Sequence, residues 1–226
     1  MAFFNQIAKQ SGQMITFTSI ATGIEVEFPA FITQFSDSFS VGWQGETPFG
    51  RIDPIKSYTS TTRRINAGFD ILGHNRETAI LNFEKFGKLI RMLYPVYSQP
   101  IGSGKGGKYR TIKASPLIRI RYANYIKSAS SESGLLGCIN GFDFNPDFAA
   151  GHFRKPNNDM VPLKYSLTFT FEPMHEKPLG FENFGDSSQE GDFLDQNFPY
   201  NQARAQTSNI IHGDDGRGTI NGDDDQ

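Results

Sequence analysis

Residues 102–108 have the Gly-x4-Gly-Lys spacing with which P-loop proteins hold phosphate. Tyr109, however, stands where those proteins carry the Ser or Thr that binds magnesium. No strand pattern precedes the segment, and residues 109–116 do not read as the helix whose N-terminus would bind phosphate. We therefore interpret residues 100–109 as a mobile, basic surface loop and not as a nucleotide site.

The other residues that could perform chemistry are dispersed along the chain. No two histidines have the spacing of a zinc motif, and the acidic runs 214–215 and 223–225 lack the alternating ligands of a calcium loop. The single cysteine, Cys138, lies among apolar residues and is predicted to be buried in the core. We therefore predict no catalytic residue, no metal site and no cofactor, and expect that the protein is not an enzyme. The four histidines are His74, His152, His175 and His212.

Residues 35–69 instead combine the side-chain types that dominate contacts between proteins. Two strand-like runs are interrupted here by a polar segment rich in Pro and Gly, where an ordinary hairpin would use a short turn. Trp43 is predicted either to contact another subunit or to lie in the core. Arg51 and Asp53 are predicted either to cap a turn or to form an ion pair with a neighbouring subunit. The predicted interface residues are Trp43, Glu46, Phe49, Arg51, Asp53, Tyr58, Arg63, Phe184, Phe193 and Phe198.

Alternating apolar and polar residues predict a chain that is mainly β. Residues 14–33 are predicted to form a hairpin, and residues 36–47 and 61–72 a second, longer hairpin with its tip at residues 48–58. Further strands are predicted at residues 116–122, 134–144 and 163–171. The predicted core residues of the long hairpin and of the last strand are Phe39, Val41, Ile65, Phe69, Leu167, Phe169 and Phe171.

One helix is predicted at about residues 76–94, with Asn75 as its N-cap and Pro95 beyond its end. Apolar residues recur there at spacings of three and four, so the helix should lay one face on a sheet. The residues predicted to form that face are Ile80, Phe83, Gly87, Ile90 and Tyr94, widened by Phe86 and Leu93.

Charge divides the chain at about residue 180. Residues 180–226 contain ten acidic residues and two arginines, whereas residues 1–179 contain 20 basic and 14 acidic residues. The acidic part has no apolar period and is typical of disorder when alone in water. We predict a β domain over 1–179 and an acidic extension over 180–226 that neighbouring subunits order through its scattered Phe residues. No apolar run is long enough to span a membrane, so cytosol-like conditions are expected.

Two blocks of the sequence resemble tail proteins of contractile-tailed bacteriophages. The first runs from Trp43 through Glu46-Thr-Pro-Phe-Gly-Arg-Ile-Asp-Pro-Ile to Thr61-Thr-Arg-Arg-Ile65, and the second from Ile139-Asn-Gly-Phe-Asp-Phe through Tyr165-Ser-Leu-Thr-Phe-Thr-Phe171 to Gly180. The second block is similar to the closing strands of baseplate and tail-tube-like subunits. With their flanking residues, roughly 35–73 and 137–181, the two blocks cover a little over a third of the chain.

This resemblance implies a tail-tube-like β-barrel or sandwich of two packed sheets, with one helix alongside and a long hairpin arm that reaches the next subunit. It also implies a structural subunit of the virion that assembles in the host cytoplasm. There it would form a hexameric ring at the baseplate end of the tail tube, initiate or adapt tube assembly and let DNA pass. The implied partners are further copies, the tail tube protein and other baseplate or hub proteins. The acidic extension favours the initiator over the repeating tube subunit.

A nucleic-acid-binding β-barrel module is the alternative, since basic strands with an aromatic residue suit single-stranded nucleic acid. The residues that would bind are Lys105, Lys108, Arg110, Arg119, Arg121 and Tyr122. A carbohydrate-processing enzyme is a third and weaker interpretation, because the sequence shows no pair of acids for glycoside hydrolysis.

Overall fold

The computed structural model describes residues 14–29, 31–100, 109–128, 134–154, 159–182, 193–195 and 198–200. Over these residues the fold is mainly β, with antiparallel sheets and a single helix, as predicted. No helix among them is long and apolar enough to cross a membrane. The glycine-rich residues 102–108 and most of the acidic extension lie outside the described residues.

The elements follow one another as β1 (Met14–Ser19), β2 (Glu25–Pro29), β3 (Phe31–Glu46), β4 (Ile55–Leu72), α1 (Arg76–Met92), β5 (Val96–Tyr97), β6 (Ile112–Ala114), β7 (Ile118–Tyr122), β8 (Leu135–Pro146), β9 (His152–Arg154), β10 (Met160–Pro162) and β11 (Lys164–Pro173). Seven strands form one sheet in the order β2-β1-β7-β8-β11-β4-β3. The pairs β5–β6 and β9–β10 are separate two-stranded ribbons, which the sequence did not predict because each strand is too short to show a period.

The seven-stranded sheet curls on itself. Strands β1 and β4 are four positions apart in the sheet, which would place them about 19 Å apart if the sheet were flat. Yet the ring of Phe17 on β1 lies 6.2 Å from that of Phe69 on β4 and 5.6 Å from that of Phe169 on β11. The two packed sheets expected from the resemblance are therefore two facing halves of one continuous sheet.

Helix α1 covers the curled sheet and connects its two halves. Lys85 Nζ donates a hydrogen bond of 2.9 Å to the Glu27 carbonyl oxygen on β2. On the other side, the Phe86 ring stacks 4.4 Å from that of Phe144 on β8. Leu89 is fully buried in the common core. The N-cap prediction is confirmed, since Asn75 Oδ1 accepts a 2.8 Å hydrogen bond from the Thr78 amide.

The buried face of α1 is rotated from the predicted one. The buried residues are Ala79, Asn82, Leu89 and Met92, whereas Tyr94 is 67% exposed and Ile80, Phe83, Gly87 and Ile90 are half-buried. The cause is a close approach at the start of the helix. A Cβ at Gly73 would lie 2.6 Å from the Ala79 Cβ, so the small pair sets the rotation and overrides the larger apolar side chains.

Predicted core positions in the long hairpin divide into two groups. Ile65 and Phe69 are fully buried, as predicted. The prediction was wrong for Phe39 and Val41, which are 45% and 49% exposed, because β11 ends its pairing with β4 at Ile65 and no further strand covers the hairpin beyond it. Cys138 is half-buried and not a core residue.

The tip of the long hairpin is also shorter than predicted. The ladder between β3 and β4 continues to the pair Glu46 and Ile55, so the tip comprises residues 47–54 and not 48–58. Tyr58, expected in the loop, pairs with Trp43 within the ladder. The loss of alternation that suggested a loop at residues 55–60 reflects a strand with solvent on both faces.

Strands β8 and β11 leave no room for a side chain at one point, two residues beyond the shift in their register between Thr170 and Phe171. At this point Gly137 pairs with Pro173. A Cβ at Gly137 would clash with the Glu172 carbonyl oxygen and lie 2.7 Å from Cζ of Phe171. The sheet can therefore pass over the Phe171 ring only because residue 137 has no side chain.

Replacing Gly137 with Ala is expected to destabilise the fold by about 1–3 kcal/mol, the usual cost of overpacking a core. Chemical denaturation measures this change in the free energy of unfolding. Gly141→Ala on the same strand is the matched control, because its new Cβ would meet no atom closer than 3.7 Å. Equal losses in the two variants would contradict the close approach at Gly137.

Candidate subunit interface

The distal part of the long hairpin, residues 39–63, is called the hairpin arm below. Within it, β3 is the only neighbour of β4 among the described strands, because β11 pairs with β4 only from Ile65 onwards. Residues 43–62 are all exposed, whichever face their side chains occupy. At about 3.3 Å per residue, the unshared part of β4 extends about 30 Å from the sheet.

One face of the hairpin arm is apolar and continues the core face of the sheet. Phe39, Val41 and Trp43 follow one another along β3 on this face. The Trp43 ring packs edge-on against that of Tyr58, at 5.9 Å between centroids. Trp43 and Tyr58 remain 58% and 57% exposed, so the interpretation of Trp43 as a core residue was wrong.

The opposite face of the hairpin arm carries small hydroxyl side chains. A register shift beside Gly42 leaves Thr59 unpaired while keeping Trp43 opposite Tyr58. The hairpin arm is consequently amphipathic, with an aromatic face and a hydroxyl face. The hydroxyl residues are Ser40, Ser57, Ser60 and Thr62.

The tip of the hairpin arm presents two fully exposed apolar side chains. Phe49 and Ile52 are 108% and 98% exposed. The turn is closed by the Arg51 amide, which donates to the Pro48 carbonyl oxygen at 3.2 Å, and Gly50 supplies the left-handed conformation at φ 84°. The side chains of Glu46, Arg51 and Asp53 are exposed around this tip.

A buried ion pair lies at the root of the hairpin arm. Arg63 Nη2 lies 2.6 Å from Asp37 Oδ2, Nε lies 3.0 Å from Oδ1, and both side chains are 2% exposed. Asp37 was missed by the sequence analysis, although its period-two position with Phe35 and Phe39 could have shown that it points inward. A buried carboxylate needs a positively charged partner. Arg63 could have been identified as that partner, because it lies two positions from Ile65 on the same inward face of β4.

Two of the predicted tail residues pack against this root. The Phe198 ring centre lies 5.3 Å from the Arg63 guanidinium carbon and 6.0 Å from the Phe39 ring centre. Phe193 stacks on Phe198 at 5.9 Å. The structure therefore places Phe193, Phe198 and Arg63 together, away from the exposed group that includes Trp43 and Phe49. Phe184 lies outside the described residues.

The basic residues of the nucleic-acid alternative are placed differently. The Arg119 guanidinium makes two hydrogen bonds to the Glu176 carboxylate, at 2.8 and 2.6 Å. The hydrogen bonds from Arg119 lower the pKa of the Glu176 carboxyl. At pH 7 both side chains are therefore ionised, and their opposite charges cancel. Arg110 and Arg121 are exposed, while Lys105 and Lys108 lie outside the described residues. In the described part of the chain, no three His, Cys, Asp or Glu side chains are grouped as metal ligands.

Comparisons with known proteins find similar chains among solved structures. No protein-family model matches the chain, and no curated protein matches it. Among solved structures, it is similar to a chain of the cryo-EM structure of the anti-feeding prophage (AFP) baseplate, 6-fold symmetrised, at 8% identity and a TM-score of 0.29. The alignment covers 70% of this chain and 87% of that chain. A TM-score of this size does not establish a common fold, so the functional argument depends on the hairpin arm.

Trp43 is the only tryptophan and so reports directly on the aromatic face. In the isolated chain its fluorescence should be readily quenched by acrylamide, and Tyr58→Ala should increase the quenching because the Tyr58 ring covers one side of the indole. Tyr94→Ala, which removes an exposed tyrosine from the end of α1, is the control and should leave the quenching unchanged. A poorly quenched Trp43 in the monomer would contradict this geometry.

His175 makes the root sensitive to acid. Its ring centre lies 5.5 Å from that of Phe198. Burial and the positive charge of Arg63 hold the pKa of His175 below its ordinary value of 6.5, although the carboxylates of Asp195 and Asp37 act to raise it. The folded state therefore favours neutral His175. A small cavity beside it is lined by the charged residues Arg63, Lys127, Glu176, Lys177 and Asp195.

We expect the contribution of His175 to stability to fall as the pH drops from 6.5 through its lowered folded pKa, because the unfolded state then binds the proton first. The free energy of unfolding is measured by urea denaturation for the wild type and for His175→Gln at pH values from 7.5 to 5. As the pH falls, the wild type should lose more of this free energy than the variant does. His74→Gln, at an exposed position, is the control. Parallel pH profiles for wild type and His175→Gln would contradict the expectation.

Proposed function

We propose that the chain is a structural subunit of a phage tail that joins copies of itself into a ring at the baseplate end of the tail tube. The observation that carries this proposal is the hairpin arm, whose aromatic face is exposed from Val41 outward, at Val41, Trp43 and Tyr58. A two-stranded hairpin is only marginally stable by itself in water. A second copy that covers the aromatic face would remove that cost and bury the exposed Trp43 and Tyr58 rings.

A ring follows from the position of the hairpin arm. The arm extends from one side of the sheet, so a contact between the arm of one copy and the body of the next joins two different surfaces. Contacts of this head-to-tail kind close into rings when the rotation between copies permits it. Six copies is the number implied by the resemblance to contractile phage tails. The basic body and the acidic extension add an attraction between neighbouring copies or to a second tail protein.

Passage of DNA is supported by the outward face of the sheet. Side chains of β4 and β11 on this face are mostly small and polar, and two of the cations there are paired with acids. Arg64 lies 2.7 Å from Glu172, and Lys164 lies 3.0 Å from Asp70. Because unpaired Lys and Arg bind phosphate strongly whatever the sequence, a face with paired cations suits a tube lumen. We propose no catalytic role for the chain.

The proposal is tested by seeding of tube assembly. The chain is mixed with the tail tube subunit, and polymer formation is followed by mass photometry and negative-stain microscopy. Trp43→Ser with Tyr58→Ser should lower seeding by about tenfold or more, the effect of removing a central aromatic contact. Tyr94→Ser removes a similarly exposed aromatic side chain outside the hairpin arm, and it should seed as the wild type does.

Two results would overturn the proposal. Tubes that form equally well without the chain would exclude an initiator. A chain that remains monomeric, ignores the tube subunit and binds single-stranded DNA with a steep salt dependence would establish the nucleic-acid-binding alternative instead.

A further inference from the structure

The root of the hairpin arm is where the chain changes from a covered sheet to an uncovered ribbon. Phe171 on β11 pairs with Ile65, the last residue of β4 to have two neighbours. Two residue pairs further out, Arg63 reaches back to Asp37, which is the partner of Ile65 on β3. This ion pair therefore connects the two strands of the ribbon across the point where the pairing of β4 with β11 ends.

Residues 193–195 and 198–200, called the C-terminal pieces below, supply the cover that the ion pair needs. The Arg63 guanidinium lies within cation–π distance of two rings, 5.4 Å from Phe39 and 5.3 Å from Phe198. Tyr200 donates its hydroxyl to Asp37 Oδ2 at 3.2 Å. The C-terminal pieces thus contact both members of the ion pair, Arg63 through Phe198 and Asp37 through Tyr200.

The C-terminal pieces also contact the start of the acidic extension, directly after the body, and the body itself. The Leu194 amide donates to the Gly180 carbonyl oxygen at 2.9 Å, and the Phe193 ring packs edge-on against that of Phe181 at 5.1 Å. The Tyr200 ring lies 5.9 Å from that of Tyr125, on the loop after β7. These contacts connect the body to the root through residues that are more than a hundred positions from the hairpin in sequence.

We propose that the C-terminal pieces act as a latch that fixes the hairpin arm to the body by burying the Asp37–Arg63 ion pair. Two charges that are buried together are costly to separate, because each would then be left without a partner away from water, whereas the partners of an exposed ion pair separate at little cost. Phe198 and Tyr200 provide that exclusion. When they leave, the pair becomes an ordinary surface ion pair, and the ribbon can bend and open from its root.

The latch gives the acidic extension a role within its own chain, in addition to the contacts with neighbours predicted from its composition. The latch also fixes the direction of the hairpin arm before a neighbouring copy binds. Less conformational entropy is then lost when the arm contacts that copy. That last consequence rests on the proposed function. The latch itself does not, because it is a property of the isolated chain.

Hydrogen–deuterium exchange of the isolated full-length chain tests the latch. Phe198→Ala should accelerate amide exchange in peptides covering residues 36–46 and 55–63 by about tenfold, because opening from the root becomes easier when the desolvated cation–π contact is lost. Peptides covering β1, β7 and β11 are measured in the same samples and should exchange as in the wild type.

Two further variants keep the test decisive. Tyr200→Phe retains the ring and removes only the hydrogen bond to Asp37, so it should accelerate exchange in the same peptides by a smaller factor. Phe148→Ala, at a 69% exposed position, should change nothing in the hairpin arm. Unchanged arm exchange in a folded Phe198→Ala variant would overturn the latch, as would equal acceleration of arm and body. Neither result would bear on ring assembly, which the seeding experiment measures separately.

Discussion

Strand β4 imposes the constraint on which the rest of the structure depends, because its inward-facing side continues beyond the end of the sheet that covers it. Ile65 and Phe69 lie in the core, while Arg63 and Thr61 continue the same side outward. An apolar face that leaves the core must be covered, charged or given to a partner. In this chain, helix α1 and the curled sheet cover the first part of the face. The Asp37–Arg63 pair and the C-terminal pieces lie at the root, and the aromatic face is exposed from Val41 outward.

The sequence predicted a strand or helix correctly where its apolar residues recur at one constant spacing. Strand β11 alternates strictly, from Tyr165 to Phe171, because one face meets the core and the other meets solvent throughout. The start of α1 followed from the chemistry of Asn75. The rotation of α1 could not be predicted, since it depends on the approach of Ala79 to Gly73, and this is a tertiary contact without a local signal. The curl of the sheet was likewise expected only as two separate sheets.

The exposure of the candidate interface residues followed in part from the sequence. Aromatic and arginine side chains around a Pro- and Gly-rich tip indicated residues 43–58, and the structure places these residues in an exposed ribbon. Arg63 was grouped with them on composition alone, whereas its surroundings are those of a buried structural residue. The distinction depends on Asp37, Phe198 and Tyr200, which are far apart in sequence. Composition can identify residues suited to contacts, but it cannot tell a neighbour's contact from one within the chain.

The antiparallel ladder between β4 and β11 also determines how the molecule would bear a mechanical load. Its hydrogen bonds run perpendicular to the strands, and the register spans eight residue pairs, from Lys164 with Leu72 to Phe171 with Ile65. A pull on the hairpin arm along its axis would therefore act on these bonds in shear, so that they resist together and do not open one after another. A sideways pull would instead act first on the root. The molecule is thus built to be stiff along the arm and compliant across it.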